Sequence, residues 1–384
     1  MQGRAIRYRL VERAQLPRAE GRIDAIDLAR GIAIALMILS HAVSGLIGIR
    51  QVPDWGMVPL HLLTKFSSSL FILVFGIALA VAFLPRVGEP GWPRRRLTLM
   101  LRGLEVLFWY KVLTVVEMLP LYAPADILDT LLYQRFPIWV EILGFYAIAL
   151  LWLPWVLPLW RRLPLWSRLL LWSRLLLPVT IAVAAGWMER HLTFWGIEPL
   201  KAILVEDADH YTWGQLSRLP LVLLGLLVGE ALLRGYWEPA SRRRLLLAIA
   251  GAGGVLLLTF FALALAAEGA SVHDALIAVS RNVGKHPPEL AFMMFSLGGA
   301  LIILALCLQG GAAAARWLRP LTLIGGDALK AFVFHIVVIF GVFRYLLEAW
   351  QVYDYPQVLG IGMALVLATA GWIALTRWVE AQRG

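Results

Sequence analysis

Cysteine is almost absent: Cys307 stands alone in 384 residues, within an apolar stretch, which excludes an intrachain disulfide and any cysteine-ligated metal cluster. Among apolar neighbours it reads as a small core residue rather than a nucleophile. Charge is scarce too. Asp, Glu, Lys and Arg make up 16% of the chain, against about 25% in an ordinary soluble domain, and acidic residues are the rarer sign, 25 against 35 basic. No attached soluble module is visible, and the arginine-rich start leads directly into a full-length apolar run instead of a cleavable signal peptide. The one repeat found is local: Leu-Trp-Ser-Arg-Leu-Leu occurs at 165–170 and again at 171–176, too short to define a repeat architecture.

What fills the chain is apolar: 60% hydrophobic residues and a mean hydropathy of +0.75. Stretches near twenty residues long place ten spans at approximately 26–48, 59–84, 97–116, 138–160, 168–188, 218–233, 245–267, 289–309, 320–343 and 357–376. Arg168 and Arg174 make the fifth the weakest. If the N-terminus is inside, 22 of the 35 Lys and Arg fall in cytoplasmic segments, so an even number of spans with both termini cytoplasmic is expected. The formal charge of +10 then reports topology, and nucleic acid is not an expected partner. The fold class is all-α, a polytopic helical membrane protein, with a basic cytoplasmic segment 1–22 before a single transmembrane domain 23–384. Two long outer loops, about 189–217 and 268–288, have the size of loops that cover or form a site. Tryptophans near span ends (Trp55, Trp139, Trp160, Trp187, Trp237, Trp317) fit interfacial belts.

Ionisable residues inside the spans are informative, because each is costly in a bilayer. Span 1 holds Asp27-Leu28-Ala29-Arg30-Gly31 and then His41. Helical geometry turns Arg30 and His41 within roughly 20° of one face and roughly 16 Å apart, with Asp27 and Ser44 on the same stripe. One polar seam facing the protein interior is expected, with His41, Arg30 and Asp27 as catalytic candidates. Span 9 holds Asp327, Lys330 and His335, and His335 lies at the depth of His41, so two histidines are expected to face one cavity. A neutral interhelical hydrogen-bond partner is the alternative for each. Span 2 adds His61, Lys65 and Ser68 or Ser69 as lining for an acceptor entrance, or Lys65 snorkels to headgroups. In span 3, Arg102 and Glu105 are spaced to neutralise each other. Arg102 with the run Arg94, Arg95 and Arg96 supplies candidate phosphate contacts, although positive-inside bias already explains the run. Lys111 and Glu141 are placed to pair across spans 3 and 4.

A neutral imidazole takes the proton from a hydroxyl or amine as it attacks a thioester, and an arginine supplies a permanent charge for a phosphorylated donor. Alternatively His41 itself carries the acyl group. Two other classes use such residues: a transporter carrying a solute or proton along the Asp27/Arg30/His41 seam, and a haem or quinone protein with His41 and His335 as facing ligands.

The stretch Arg22-Ile-Asp-Ala-Ile-Asp-Leu-Ala-Arg30-Gly31 through His41 resembles the opening of the transmembrane acyltransferase superfamily, whose members share an arginine, ten residues and a histidine in the first span. Further matches resemble the heparan-α-glucosaminide N-acetyltransferase catalytic-domain branch: Ser69-Leu-Phe-Ile-Leu-Val-Phe-Gly76, Pro220 with Gly225 and Gly229, His286-Pro287-Pro288-Glu289-Leu290, and Gly325 to His335. The glucan succinyltransferase and acyltransferase-three branches look like relatives. The resemblance implies transfer of an acyl group, acetyl first, from cytoplasmic acetyl-CoA or another acyl-CoA to an extracytoplasmic saccharide or glycolipid, with His41 catalytic and Arg30 its partner. No metal is expected. A bacterial inner (plasma) membrane location and the lipid bilayer as partner follow from it, and homodimerisation is left open.

Overall fold

Apolar runs of this length satisfy their backbone away from water only as helices. The computed structural model describes residues 16–53, 58–162, 168–210, 212–266 and 271–383, and among them helices form all the regular structure. In chain order they are α1 (Asp24–Leu46), α2 (Val58–Thr64), α3 (Phe66–Phe83), α4 (Trp92–Met118), α5 (Pro124–Leu131), α6 (Glu141–Arg162), α7 (Arg168–His191), α8 (Glu198–Val205) and α9 (Gln215–Gly235). There follow α10 (Pro239–Ala266), α11 (Val272–Ser280), α12 (Leu290–Trp317), α13 (Arg319–Gly326), α14 (Ala328–Ile336), which continues as a π-helix over Val337–Leu346, and α15 (Tyr355–Arg383).

Among the described residues, eight helical runs are long and apolar enough to cross a membrane, where ten spans were expected. The other two expected spans correspond to the long helices α4 and α7. Seven ionisable side chains along α4, from Arg94 to Glu117, dilute its hydropathy. In α7, Arg174 is buried and paired with Glu230 of α9 at 2.8 Å, while Trp160 Nε1 donates to the same carboxylate at 2.6 Å. A partner carboxylate across the helix interface is what lets an arginine lie inside a span, and span 5 gave no sign of it.

α1 runs through the middle, packed on α3, α12, α13 and α15. Its approach to α13 is set by two glycines: a methyl on Gly31 would strike the Leu321 carbonyl, and one on Gly325 would strike the Asp27 carbonyl. The tight α3–α9 pair is built the same way, with Gly76 against the Val222 carbonyl, Gly225 against the Leu73 carbonyl and Gly229 against Ile77. Gly225 and Gly229 form the small-xxx-small spacing that lets membrane helices approach closely.

Several sequence expectations are corrected. Lys111 does not pair with Glu141: its Nζ donates to the Leu131 carbonyl at 2.8 Å and lies over the Tyr133 ring, while Glu141 accepts from Trp213 Nε1 at 2.9 Å. Segment 124–133, which contains α5, folds back beneath Lys111 and satisfies it locally. Trp160, with its indole bonded to Glu230, is a core residue and not a belt residue, and Trp139 packs against Phe340 and Trp350. Trp187 and Trp317 are exposed, as belt residues would be. The Trp55 assignment, residues 1–15 of the basic N-terminal segment and the repeat's residues 165–167 lie outside the described residues.

Candidate active site: a histidine pair beneath a polar cavity

His41 lies five residues before the end of α1, and His335 one residue before α14 passes into the π-helix, a backbone form common at functional sites. Their rings stack with centroids 5.4 Å apart, and His41 Nδ1 stands 3.3 Å from His335 Nε2. The other nitrogen of His335, Nδ1, is 2.8 Å from the Ala331 carbonyl one helical turn back. A carbonyl only accepts, so His335 carries its proton on Nδ1 and offers Nε2 as a lone pair. His41 Nδ1–H then donates to it, which leaves the lone pair of His41 on Nε2. The backbone of α14 thus fixes the tautomer of a residue on α1. Trp139 sets its ring edge against His41 at 5.3 Å and 89°, confining the imidazole from the side.

His41 opens into a cavity of about 230 Å³. Ser40 and Ser44 line it from α1, Thr64, Lys65, Ser67 and Ser68 from the α2–α3 junction, Trp139 and Glu141 from the start of α6, and Trp213, Asn282 and Lys285 from the two long loops. His335, fully buried, lies behind His41 and not in the wall, which refines the expectation of two histidines facing one space. Direct contact between the imidazole nitrogens also leaves no place for a haem between them. The junction at Lys65 is tied to α12 by serines: Ser296 Oγ donates to the Lys65 carbonyl at 2.6 Å and lies 2.7 Å from Ser69 Oγ. Ser69 therefore faces α12, and Ser68 faces the cavity. His61 is half-buried on α2 outside the cavity lining.

The loops are anchored by a buried cluster. Arg218 donates to Glu206 through Nε at 2.5 Å and Nη2 at 3.0 Å, and it also donates to the Lys285 carbonyl. His286 Nδ1 donates to Glu206 at 2.8 Å. Burial opposes ionisation of Glu206, yet the Arg218 guanidinium and His286 hold its carboxyl down at about 2. Burial likewise pushes the His286 imidazole down to about 4, with Glu206 offsetting only part of the effect. The φ of Glu206, 72°, lies in the region that non-glycine residues avoid, and the cluster holds it there.

Arg30 and Asp27 lie away from this cavity, towards the other end of α1. Arg30 Nη1 donates to the Gly325 carbonyl at 2.8 Å and to Asp27 at 3.4 Å, and Arg22 also pairs with Asp27 at 2.7 Å. The seam is therefore two separate places on one helix face, one at each end. About a fifth of the Arg30 side chain stays open to its surroundings. Lys330 pairs with Asp327 at 3.3 Å and with Glu380 at 2.7 Å, outside the cavity. Arg102 bonds Glu105 at 2.6 Å on the exposed face of α4, and Arg96 stacks on Trp155 at 3.5 Å. None of Arg94, Arg95, Arg96 or Arg102 lines the His41 cavity. A larger groove, about 590 Å³, between α10 and α12 is mostly apolar and holds no histidine.

Sequence reasoning did not place Trp139 in a cavity wall, and it placed Glu206, Trp213 and Lys285 only as charged and aromatic residues of two loops long enough to cover or form a site, without the Glu206–Arg218 clamp.

A comparison with curated proteins gave no match. A family profile described as an acyltransferase domain matches residues 23–377, nearly the whole chain and both histidines. The match is to the acyltransferase-three branch, which the sequence resemblance had named as a relative rather than as the nearest group. A membrane helix bundle enclosing an oriented imidazole, with this profile running through it, belongs to the acyltransferase-3 family.

Proposed function

We propose that this membrane acyltransferase moves an acyl group, acetyl first, from a cytoplasmic acyl-CoA to a hydroxyl or amine of a saccharide or glycolipid on the far side of a bacterial inner membrane. The observation that carries the proposal is the ordered chain from the Ala331 carbonyl through His335 to His41, which leaves His41 Nε2 as a base at the floor of a polar cavity. His41 Nε2 takes the acceptor proton as the acceptor oxygen or nitrogen attacks the thioester carbonyl. The carbon–sulfur bond breaks, and the imidazolium returns the proton to the departing thiolate. His335 Nε2 accepts from Nδ1–H throughout, holding the ring and stabilising the imidazolium, as a carboxylate does in a serine protease triad.

At about 230 Å³ the cavity is smaller than the roughly 300–1,000 Å³ usual for a whole small-molecule site. It suits the two reacting ends, with the bulk of donor and acceptor outside. The partly open side chain of Arg30, with donors to spare and roughly 16 Å along the helix from His41, supports a contact with the donor in this reading. The heparan-α-glucosaminide-like branch shares this donor and acceptor logic, and its acetyl specificity is part of the proposal.

The test is purified protein in detergent or vesicles with labelled acetyl-CoA, followed by detection of label on water, protein or a crude glycan extract. Wild type is expected to release CoA, and His41→Gln is expected to stop release while retaining the wild-type thermal midpoint. Label retained on His41 would replace direct transfer with an acyl-histidine route. If neither protein consumes any acyl-CoA tested, the acyl-CoA donor is wrong.

A further inference from the structure

We propose that the His41 cavity contains an anion-binding subsite formed by Lys65 and Lys285, so that one substrate carries a carboxylate close to the reacting atom. The subsite presupposes the acyl-transfer role proposed above and adds the charge of the substrate to it. Lys65 is 6% exposed, placed at the break between α2 and α3, and it lines the cavity. Among the described residues, no carboxylate lies within salt-bridge distance of its ammonium and no acceptor bonds it. Every other lysine that the structure describes in detail off this cavity has such a partner: Lys111 two carbonyls, Lys201 Asp207, and Lys330 Asp327 and Glu380. Lys65 is thus a buried amine at the wall of an enclosed space, where a bound anion would offset the cost of burying its charged form.

Lys285 enters the same cavity from the loop before α12. Its position is fixed by the Arg218 guanidinium on its carbonyl and by Trp213, whose ring centroid lies 5.3 Å from its ammonium. Among the described residues, Glu141 is the one acidic side chain in the wall. The two lysine side chains thus outnumber that carboxylate in the cavity wall. Hydroxyls of Ser40, Ser44 and Ser68 add neutral donors, suited to a carboxylate or a sugar hydroxyl alike, while Thr64 donates to the His61 carbonyl.

Two sources supply such a carboxylate: an acidic acceptor sugar, or the free end of a dicarboxylic acyl group. The experiment separates them. Methyl glucuronide and methyl glucoside are compared as acceptors with acetyl-CoA, and succinyl-CoA is compared with acetyl-CoA on methyl glucoside, for wild type, Lys65→Met and Lys65→Arg. In parallel, binding of the glucuronide and of succinate is followed by ligand-observed NMR, which needs no turnover, with His41→Gln included. Wild type is expected to prefer the anionic member of one pair by about tenfold, the strength of a charge-assisted hydrogen bond. The preferred pair identifies the source. Lys65→Met is expected to lose the preference and the binding, Lys65→Arg to retain both in part, and His41→Gln to bind without turning over. Binding that depends on Lys65 without any acyl transfer would keep the subsite and remove the acyl-CoA role. Transfer with equal use of charged and neutral partners, unchanged by Lys65→Met, would overturn the subsite and leave the acyl-transfer role standing.

Discussion

Replacing His335 by Phe keeps the ring's volume and aromatic contacts but removes the lone pair that receives the His41 Nδ1 proton at 3.3 Å. His335 is fully buried, so water does not replace it. A buried N–H left without its acceptor costs about 1–3 kcal/mol. His41 also loses what distinguishes its two nitrogens, and the tautomer with hydrogen on Nε2 cannot act as a base towards the cavity. Because the lost interaction strengthens as His41 becomes imidazolium, the cost falls on the transition state, and kcat is expected to fall by about ten- to hundredfold. The donor KM should change by less than about twofold, since His335 does not line the cavity. His335→Gln, whose amide oxygen accepts but fits the site less well, should recover part of the loss. The assay is steady-state acyl transfer with both substrates varied, with thermal unfolding of each variant measured alongside. A folded His335→Phe protein with wild-type kcat, beside an inactive His41→Gln protein, would refute the tautomer argument.

Glycine substitutions separate packing from flexibility. Gly31→Ala and Gly325→Ala drive a methyl into the facing backbone of α13 and α1, and each should lower the unfolding midpoint by the equivalent of about 1–3 kcal/mol or more. Gly251→Ala on α10, with open space at its Cβ, should be neutral or slightly stabilising. An equal effect at all three positions would contradict the close approach. Arg174→Met removes the buried partner of Glu230, which keeps Trp160 Nε1 and the more exposed Arg234 at 3.3 Å, and should cost about 1–3 kcal/mol, read as a lowered midpoint in detergent; an unchanged midpoint would show that the Arg174 pair contributes nothing to stability. Acid stability follows from the loop cluster. The Glu206 carboxyl, held at about 2 against a usual 4.5, contributes stability present above 4.5 and lost as pH falls towards 2. His286, held at about 4 against 6.5, is protonated first in the unfolded chain, so stability also falls as pH drops from 6.5 to about 4. The thermal midpoint should therefore decline below about pH 6.5, and a flat profile from pH 7 to 4 would contradict the cluster. Arg30→Met should act on the donor, raising its KM more than it lowers kcat, and the reverse split would move Arg30 from donor contact to the chemical step.

Hydropathy and helical periodicity alone determined that this is a polytopic helical membrane protein, where its spans lie, and that His41 shares a helix face with Arg30 and a depth with His335. Each of those is a property of one helix or of its position along the membrane normal, and a sequence contains both. The motif glycines were legible as a resemblance, but their reason was not: Gly31, Gly76, Gly225, Gly229 and Gly325 matter because another backbone passes within contact of them. Only the tertiary structure decided which polar groups meet. It divided the Asp27–Arg30–His41 stripe into two sites, gave Arg174 its carboxylate, and turned Trp139 and Trp160 from belt residues into core. It also brought Lys65 and Lys285 to one cavity from segments 220 residues apart. Partnership between helices depends on their rotation and neighbours, which residue spacing along a single helix does not encode, and the protonation pattern of His41 is settled by a carbonyl on another helix.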